Sequence, residues 1–430
     1  MNQGGKSRRI HLVKTIAILG GGFAGLRSAL TLSKKLRRDT VYRIILIDER
    51  PIHLYTPDLY EISTAYHDEI TEACLTQLKD AVAIPFQKII KERRIEFLRD
   101  RVTKILPGEK RVALQDHGVL AFDYLVVALG SVVNYYGIPG LEEYASPLKT
   151  LLDGLAINCH LDMHFHNLWK REVKKEVHIV VGGGGATGVE FASELPGCIH
   201  KLSGKYNYPI EKIHITLLEG SGELTGQGEK VTNAILKRFQ KLGVNVCLNT
   251  FIKKIDPTGL HVQTPSKEKK IFPTDLLIWT GGVKPNPLIR ESFQTTSKNG
   301  ALTVNEYLQS TAFPFIFAAG DNAYFIDSKD QKPAPMLAQI AFAQGKLIAE
   351  NILAEIIGKK KKVYRVSIKG IIIPLGGKYA LLKKGRFVIK GYFMWVLRRL
   401  VDLRYALSIL PFRYALKKWI HDTNIFVGND

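Results

Sequence analysis

Residues 15–30 read T-I-A-I-L-G-G-G-F-A-G-L-R-S-A-L, an apolar run followed by spaced glycines and a helix-forming segment. In the pattern Gly20-x-Gly22-x-x-Gly25, the first glycine allows a tight turn and the second lets a pyrophosphate approach the backbone. The third lets the helix pack closely on the strand, and the N–H groups at the helix N-terminus bind the phosphates. The stretch predicts a Rossmann-type strand, loop and helix that bind a dinucleotide.

A Rossmann unit also needs a carboxylate at the end of its second strand, where it accepts hydrogen bonds from ribose hydroxyls. The apolar segment 44–47 is followed by Asp48 and Glu49. We take Asp48 as the ribose-binding carboxylate and Glu49 as the second choice.

A second glycine loop follows about 160 residues later, in V-H-I-V-V-G-G-G-G-A-T-G-V-E. It repeats the pattern as Gly183-x-Gly185-x-x-Gly188, and its strand-end acid is Glu219. The spacing from loop to acid is longer than usual, which predicts an extended helix or an insertion. One such loop is a weak signal because glycine-rich turns are common. Two loops, each with a strand, a helix and an acid, predict two dinucleotide sites.

Short apolar runs alternate with longer amphipathic segments along the chain, a pattern typical of βαβ units around parallel sheets. The predicted buried strands are Thr15 to Leu19, Ile44 to Ile47, Leu125 to Ala128, Val177 to Val181, Ile213 to Leu218, Leu276 to Trp279 and Phe315 to Ala318. We predict an α/β fold with two Rossmann-type dinucleotide-binding domains. The basic run Lys359 to Lys362 marks the predicted start of a C-terminal appendage.

The net charge is +21, and residues 356–430 hold 17 Lys and Arg against 3 Asp. Such a segment fits a polyanionic partner, either a nucleic acid or an anionic membrane surface. The four cysteines are too widely spaced for a zinc site and too few for a disulfide-rich secreted domain. We therefore predict no metal and a reducing compartment. An apolar run of about 18 uncharged residues, as a transmembrane helix needs, is absent from the sequence.

Residues 7–12 read S-R-R-I-H-L and resemble a twin-arginine export signal. The apolar run after them leads directly into the first glycine loop. A buried strand explains that run better than the apolar core of a signal peptide, so we expect no export.

Two further motifs complete a family resemblance. D-Y-L-V-V-A-L-G at 123–130 lies between the glycine loops, and F-I-F-A-A-G-D-N at 315–322 follows the second loop. This order resembles the two-dinucleotide flavoprotein reductases over most of the chain. The resemblance implies that FAD binds non-covalently at the first glycine loop, with Gly130 and Gly320 at the same site. It also implies that Asp321 lies beside the ribityl and pyrophosphate region.

The members of this family differ in the groups beside the flavin. Disulfide reductases carry a C-x4-C pair early in the FAD domain, and residues 40–70 contain no cysteine. Sulfide:quinone oxidoreductases need two cysteines near the flavin, and only Cys159 and Cys198 lie even loosely near the required region. That class stays open as the alternative.

Four stretches resemble the type II NADH dehydrogenases, the single-chain NADH:quinone oxidoreductases. They are I-D-E-R-P-I-H-L-Y-T-P-D-L-Y from 47, G-G-A-T-G-V-E-F-A-S-E-L from 184, I-W-T-G-G-V-K-P-N-P from 278 and L-A-Q-I-A-F-A-Q-G from 337. The last is the most specific, because that family has a similar helix start close to the isoalloxazine ring and the quinone entrance. Residues 335–337 depart from the family's usual P-x-T pattern, which leaves the detailed quinone contacts open.

This resemblance implies electron transfer from NADH through FAD to a membrane quinone without proton pumping. It assigns NADH to the second glycine loop, to Glu219 and to the backbone around Gly282. It implies that Glu190 supplies protons to the quinone, and a position on the first turn of its helix would also favour a carboxylate there. Gln339, with Gln344 as the weaker candidate, is expected to hydrogen-bond the quinone head group or the flavin edge.

The predicted domains follow from these assignments. They are residues 1–145 and 276–358 for FAD, 146–275 for NADH and 359–430 for membrane association.

The basic C-terminal segment also carries an apolar stripe on a helical wheel. The stripe consists of Phe393, Val396, Leu400, Leu403 and Leu407. Arg398, Arg399 and Asp402 are predicted to lie on the opposite, water-facing side. Basic amphipathic helices with interfacial Trp and Tyr resemble monotopic anchors, so residues 391–420 are predicted to bind an anionic membrane surface. The location implied is peripheral, at the cytoplasmic face of the plasma membrane.

Two alternatives for the stripe stay open: it packs on the FAD domain, or it packs across a homodimer. Nucleic-acid binding is disfavoured, because no recognition motif accompanies the positive charge.

Overall fold

The computed structural model describes residues 13–329 and 331–428. The chain divides into two compact units. Within the described residues, the first unit comprises residues 13–53, 85–131 and 284–367, and the second comprises residues 54–84, 132–283 and 368–428. The export-signal-like stretch at 7–12 lies outside the described residues.

The helices have the following bounds. They are α1 (Phe23–Lys35), α2 (Leu59–Ser63), α3 (Glu72–Val82), α4 (Phe86–Ile90), α5 (Leu141–Tyr144), α6 (Leu151–Lys170), α7 (Ala186–Lys205), α8 (Glu229–Leu242), α9 (Pro287–Ser292), α10 (Ala338–Ile356), α11 (Tyr392–Ile409) and α12 (Phe412–Val427).

The strands have the following bounds. They are β1 (Lys14–Leu19), β2 (Tyr42–Asp48), β3 (Ile52–Leu54), β4 (Ala83–Pro85), β5 (Glu96–Arg99), β6 (Val102–Leu106), β7 (Arg111–Leu114), β8 (Val119–Ala121), β9 (Tyr124–Val127), β10 (Ser131–Val133), β11 (Ser146–Pro147), β12 (Val177–Gly182), β13 (Ile213–Leu218), β14 (Val244–Cys247), β15 (Phe251–Asp256), β16 (Gly259–Gln263), β17 (Lys269–Phe272), β18 (Leu276–Trp279), β19 (Val283–Pro285), β20 (Leu302–Thr303), β21 (Ile316–Ala318), β22 (Ala323–Tyr324), β23 (Ile371–Pro374), β24 (Ala380–Lys384) and β25 (Phe387–Gly391).

Each unit is built around a five-stranded parallel sheet. The strand order is β21-β9-β1-β2-β5 in the first unit and β11-β18-β12-β13-β14 in the second. Parallel sheets are covered on both faces, which is why their strands read as continuous apolar runs. Residues 16–19 of β1, for example, have no accessible surface. All seven predicted strands lie in these two sheets, and the predicted α/β class is confirmed.

A helix of different length follows the glycine loop in each unit. In the first unit α1 has 13 residues and connects β1 to β2, whereas in the second unit α7 has 20 residues and connects β12 to β13. The long spacing from the second glycine loop to Glu219 is therefore explained by the length of α7.

The C-terminal segment is built into the second unit from residue 368 onward. The antiparallel sheet β23-β24-β25 leads into α11, which packs on α12 and on β24, and α12 packs on α3. Ala406, Ile409, Ala415 and Phe426 are buried by these contacts. Throughout the described residues, no helix has the length and apolarity that crossing a bilayer requires.

Candidate functional site

The first glycine loop connects β1 to α1. Gly20 has a positive φ of +94°, and a Cβ there would lie 2.2 Å from the carbonyl oxygen of Ala128. A Cβ at Gly25 would lie 1.9 Å from the carbonyl oxygen of Gly20, so only glycine lets α1 pack this closely. The space beside Gly22 is open, and α1 begins at Phe23 without a capping side chain. The loop therefore fits a pyrophosphate, which needs room and backbone N–H groups at these positions.

The second glycine loop, between β12 and α7, has the same construction. Gly183 has a φ of +110°, and a Cβ there would lie 2.5 Å from the Cα of Gly281. A Cβ at Gly188 would lie 1.9 Å from the carbonyl oxygen of Gly183, while the space beside Gly185 is open. Thr280, which our sequence analysis did not single out, donates to the Gly183 carbonyl at 2.9 Å and closes the loop. This loop also fits a pyrophosphate.

The two strand-end acids are held in the same way. Asp48 accepts a hydrogen bond from the backbone N–H of Gly21 at 2.7 Å, and Glu219 accepts one from that of Gly184 at 2.6 Å. The other oxygen of each carboxylate accepts from a backbone N–H two residues further along the chain. Both acids are therefore fixed against the middle of their glycine loops. Burial raises the pKa of Asp48, although its backbone hydrogen bonds act in the opposite direction.

A second turn of the first unit joins the ends of β9 and β21. Gly130 and Gly320 adopt positive φ values of +73° and +63°. The side chain of Asn322 accepts from the Gly130 N–H at 3.0 Å and donates to the Gly130 carbonyl at 2.7 Å. Ser131 donates a hydrogen bond to Asp321. Asn322 was missed from the sequence, and the only available signal was its position directly after the Gly-Asp pair.

Helix α10 carries both glutamines that were predicted to bind the quinone or the flavin, but they lie in different surroundings. Gln339, the second residue of the helix, is exposed. Gln344 is 1% exposed and accepts from the Gly320 N–H at 2.7 Å, so it braces the turn that carries Asp321. A Cβ at Gly345 would lie 2.1 Å from the Ala24 carbonyl oxygen, so α10 and α1 can pack this closely only with glycine there.

The T-G-G-V stretch after β18 contains two further positions that accept only glycine. A Cβ at Gly281 would lie 2.2 Å from the ring of Trp279. Gly282 has a φ of +136°, and a Cβ there would lie 2.7 Å from the hydroxyl of Tyr136. Its carbonyl accepts from the N–H of Asn134 at 3.0 Å.

Glu190 is the fifth residue of α7, which begins at Ala186. The expectation that it lies on the first turn is wrong, because that turn holds no acid, and a helix dipole acts mainly within the first turn. Burial of the carboxyl raises its pKa to about 8. The positive charge of Arg398 acts in the opposite direction, and the negative charges of Asp58 and Glu61 add to the increase.

Arg398 and Arg399 belong to a buried ionic cluster. Arg398 binds Asp58 at 2.7 Å and also pairs with Asp402, while Arg399 binds Glu61 at 2.9 Å. The two arginines are only 6% and 3% exposed. The prediction that Arg398, Arg399 and Asp402 form a water-facing side is therefore wrong. The helical wheel located the charges correctly around α11 but assigned the wrong side to the protein interior.

Two tyrosines complete this cluster. The Tyr55 hydroxyl donates to Asp402 at 2.6 Å, and the Tyr60 hydroxyl donates to Glu61 at 3.0 Å. Burial raises the pKa of both phenols. Asp58 and Glu61, spaced three residues apart in a largely apolar segment, were the sequence signal for such a cluster.

The predicted site residues fall into two sets according to unit. The first unit contains Gly20, Gly22, Gly25, Asp48, Gly130, Gly320, Asp321, Gln339 and Gln344. The second unit contains Gly183, Gly185, Gly188, Glu190, Glu219 and Gly282.

Comparisons with known proteins identify the class. The profile of the pyridine nucleotide-disulphide oxidoreductase family matches residues 14–345, and the chain belongs to this family of oxidoreductases. It is 28% identical over 408 residues to the type II NADH:quinone oxidoreductase of Staphylococcus aureus strain NCTC 8325, covering 94% of this chain and 98% of the relative. The resemblance stated from the sequence is confirmed.

Solved structures agree with this fold. The structure of NDH2 from Plasmodium falciparum in complex with NADH matches with a TM-score of 0.82 at 21% identity, covering 96% of this chain and 97% of that one. The sulfide:quinone oxidoreductase of Aquifex aeolicus matches with a TM-score of 0.75 at 19% identity, covering 92% and 91%. At these identities the matches establish the fold.

Proposed function

We propose that this protein is an NADH:quinone oxidoreductase that transfers electrons from NADH through FAD to a membrane quinone without pumping protons. The observation that carries the proposal is the pair of glycine loops with matching geometry, because the reaction needs a flavin and a nicotinamide together. Similarity to a type II NADH:quinone oxidoreductase along nearly the whole chain supports the choice of acceptor. When bound, FAD would supply the redox chemistry, which is hydride acceptance from NADH and two-electron transfer to the quinone.

The first unit binds FAD in this proposal. The loop Gly20-x-Gly22-x-x-Gly25 holds the pyrophosphate, and Asp48 accepts from the adenosine ribose. The positive-φ turns at Gly130 and Gly320 would let the backbone pass close to the flavin. Asp321 accepts from the ribityl hydroxyls, and its side chain is oriented by the hydrogen bond from Ser131. All these contacts are non-covalent.

The second unit binds NADH. The loop Gly183-x-Gly185-x-x-Gly188 holds its pyrophosphate, and Glu219 accepts from the ribose hydroxyls. Glu219 is fixed beside the loop by its bond from Gly184, and a negative charge there repels a 2′-phosphate. The backbone at Gly282 would contact the nicotinamide end.

Glu190 holds the proton that the quinone receives. With a pKa of about 8, its carboxyl is protonated at neutral pH and can act as a general acid. Gln339, exposed at the start of α10, donates an amide hydrogen bond to the quinone head group. Gln344 has a positioning role, because its carbonyl oxygen fixes the turn at Gly320.

The protein binds an anionic membrane surface through α11 and α12, peripherally and from the cytoplasmic side. Phe393 is 80% exposed and Phe412 is 67% exposed, and Leu400, Leu407 and Ile420 are also exposed. With Arg398 and Arg399 turned inward, the outer side of α11 is more apolar than the helical wheel alone indicated. Exposed aromatic and aliphatic side chains beside basic residues are typical of interfacial helices. The alternative to the membrane is a second copy of this chain, which would cover the same stripe in a homodimer.

Sulfide:quinone oxidoreduction is the second candidate, favoured only by the match to the Aquifex aeolicus fold. That reaction needs two reactive cysteines. The four cysteines are free thiols, and burial raises the pKa of Cys198 to about 12. A thiol of such high pKa is a poor nucleophile at neutral pH, which disfavours this candidate.

The test is a steady-state assay of the purified protein with a short-chain quinone and either NADH or sulfide as the donor. We expect turnover with NADH and none with sulfide. Turnover with sulfide alone would replace the proposed function with the second candidate.

A further inference from the structure

A small, partly open cavity of about 30 Å³ lies in the second unit beside the ionic cluster. Arg399 and Asp402 of α11 contribute to its walls, and so do Asp422 and Thr423 of α12. Tyr55, which donates to Asp402, also lines it. The cavity therefore connects the helix α12 to the charged groups around Arg398 and Arg399.

Four polar atoms lining this cavity are buried and have no hydrogen-bond partner among the described residues. They are Arg399 Nε, Asp402 Oδ2, Asp422 Oδ1 and Thr423 Oγ1. Arg399 Nε and Asp402 Oδ2 are 3.6 Å apart, which is close enough for charge attraction but beyond a hydrogen bond. Nearly all buried polar atoms in proteins are hydrogen-bonded, so four at one cavity indicate a small polar ligand.

The four atoms specify the chemistry of that ligand. Arg399 Nε can only donate, the two carboxylate oxygens accept, and the Thr423 hydroxyl does either. A cation would meet the guanidinium of Arg399, and an anion would meet two carboxylates. Water both donates and accepts, and a cavity needs about 10–15 Å³ to hold one molecule. The volume and the atoms thus fit one or two water molecules.

Two polar groups beside the cavity, Lys418 and Tyr55, already use their N–H and O–H groups elsewhere. Lys418 already donates to the carbonyl oxygens of Asp80 and Ala81, each at 2.8 Å, and to Asp422 Oδ2 at 2.9 Å, which uses its three N–H groups. The Tyr55 hydroxyl donates its proton to Asp402 Oδ1, not to Oδ2. Asp422 Oδ1 and Asp402 Oδ2 therefore receive no hydrogen bond from Lys418 or Tyr55.

We propose that ordered water in this cavity links Asp422 to Asp402, and that Asp422 is the group through which the buried ionic cluster exchanges protons with solvent. The Asp422 side chain is 16% exposed and its Oδ1 is buried at the cavity, so the residue reaches both solvent and the cavity. This inference rests on the proposed function of Glu190 in quinone reduction, and it adds Asp422 as a positioning residue.

The proton count balances without any electron transfer. One proton passes from solvent to Asp422 and stays on its carboxyl, which the water holds beside Asp402. A neutral Asp422 no longer offsets the positive charges of Arg398 and Arg399. Those charges then act more strongly on Glu190 and favour release of its proton to the quinone, so one proton enters the buried groups for each one that leaves.

The charges around Asp422 support this direction. Burial raises its pKa to about 7, the positive charge of Lys418 lowers it, and the negative charge of Asp58 raises it. Other charged or titratable residues around it are Arg398, Arg399, Asp402 and Tyr405 on α11, Glu61 on α2, Asp80 on α3, and Tyr55. With Asp422 protonated, the three cations Arg398, Arg399 and Lys418 balance the three anions Asp58, Glu61 and Asp402.

The variants that test the proposal are Asp422→Asn, Thr423→Val and Thr423→Ser in the full-length holoenzyme. Asn cannot exchange a proton, Val removes a hydroxyl from the cavity with little change in shape, and Ser keeps the hydroxyl. Stopped-flow measurements follow bleaching of the flavin by NADH and its recovery with a short-chain quinone, from pH 5.5 to 9, in H2O and D2O.

We expect Asp422→Asn to leave bleaching by NADH unchanged and to keep the recovery with quinone at its low-pH rate above pH 7, where the parent protein slows, with loss of the inflection there. Thr423→Val should shift the pH of this inflection in H2O and in D2O, while Thr423→Ser should match the parent protein. Unchanged pH profiles in Asp422→Asn and Thr423→Val would overturn the proposal.

Hydration of the cavity is measured separately, so that failure of this inference can be distinguished from failure of the proposed function. We expect a crystal structure of the parent protein at high resolution to show water bonded to Asp422 and Asp402. The infrared carboxyl band of Asp422 is identified by its loss in Asp422→Asn, and we expect this band to shift in Thr423→Val. A dry cavity would overturn the inference even if NADH reduces quinone. Absence of quinone turnover in the parent protein would instead overturn the proposed function.

Discussion

Glu219 accepts a hydrogen bond from the backbone N–H of Gly184 at 2.6 Å, so the acid at the end of β13 is fixed to the glycine loop. Asp48 and Gly21 form the equivalent bond in the first unit at 2.7 Å. A carboxylate has about four lone-pair sites, so each acid can still accept from ribose hydroxyls. The loop backbone thus sets the position of the acid before a nucleotide binds.

Replacing Glu219 with glutamine is expected to weaken the preference for NADH over NADPH. The amide removes the negative charge that repels a 2′-phosphate and weakens the acceptor for the ribose. We expect the ratio of kcat/KM for the two nucleotides to fall about tenfold, which corresponds to about 1.4 kcal/mol. The matched variant Asp48→Asn should lower FAD retention and leave this ratio unchanged. Equal kcat/KM for both nucleotides in the parent protein would contradict the role of Glu219.

Gly22→Ala is expected to give a folded protein that loses FAD. The space beside Gly22 is open, so a methyl group fits the protein but occupies the position that a pyrophosphate needs. Absorbance spectra after desalting measure the flavin content, and circular dichroism measures folding. The control Gly108→Ala also adds a methyl group in open space and should retain FAD. Full flavin content in Gly22→Ala would rule out this loop as the FAD site.

Glu190→Gln is expected to remove a pH dependence of both quinone reduction and stability. The folded-state pKa of about 8 lies above the ordinary 4.5, so the stabilisation from holding this proton is complete below pH 4.5 and is lost as pH rises through 8. The rate of quinone reduction should also fall as pH rises through 8, because a smaller fraction of Glu190 is then protonated. Relative to the parent protein, the variant should unfold at a higher temperature above pH 8. An activity decline near pH 8 that persists in Glu190→Gln would exclude this residue as the proton donor.

The triple variant Phe393→Ser, Leu400→Ser, Leu407→Ser is expected to bind anionic liposomes at least tenfold more weakly. The three side chains are exposed and supply much of the apolar surface on α11, and burial of apolar surface stabilises by about 25 cal/mol per Å². Sedimentation with vesicles measures the binding. The control triple Leu152→Ser, Met163→Ser, Trp169→Ser removes exposed apolar groups from α6 and should bind normally. Normal vesicle binding with a change from dimer to monomer would assign the stripe to a homodimer.

Arg398→Met is expected to lower the free energy of unfolding by about 3–5 kcal/mol, because Asp58 and Asp402 stay buried and lose the cation that binds them at short distance. Urea unfolding measures the change. Arg404 lies on the same helix but is exposed, and Arg404→Met should change stability by about 0.5 kcal/mol or less. Similar effects of the two substitutions would mean that the ionic cluster contributes little.

The sequence by itself determined the two Rossmann sheets and their glycine loops. Their signals are local: a buried parallel strand must be apolar on both faces, and a close backbone approach admits only glycine. The clash of a Cβ at Gly25 with Gly20, five residues away, is an example. Glu219 was found in the same way, because a strand-end acid follows its strand directly. Local spacing therefore sufficed for the fold class and for most of the proposed dinucleotide contacts.

The tertiary structure decided which side of α11 faces the interior and which polar groups meet there. Arg398 binds Asp58 across 340 residues of sequence, and Asn322 bonds Gly130 across 192. A helical wheel gives only the angular separation of side chains, and on that basis charged residues were assigned to water. The carboxylates of Asp58 and Glu61 reverse the assignment, because a buried arginine is stable when a paired anion replaces its hydration. That compensation depends on groups far apart in the chain, so it became visible only in the folded protein.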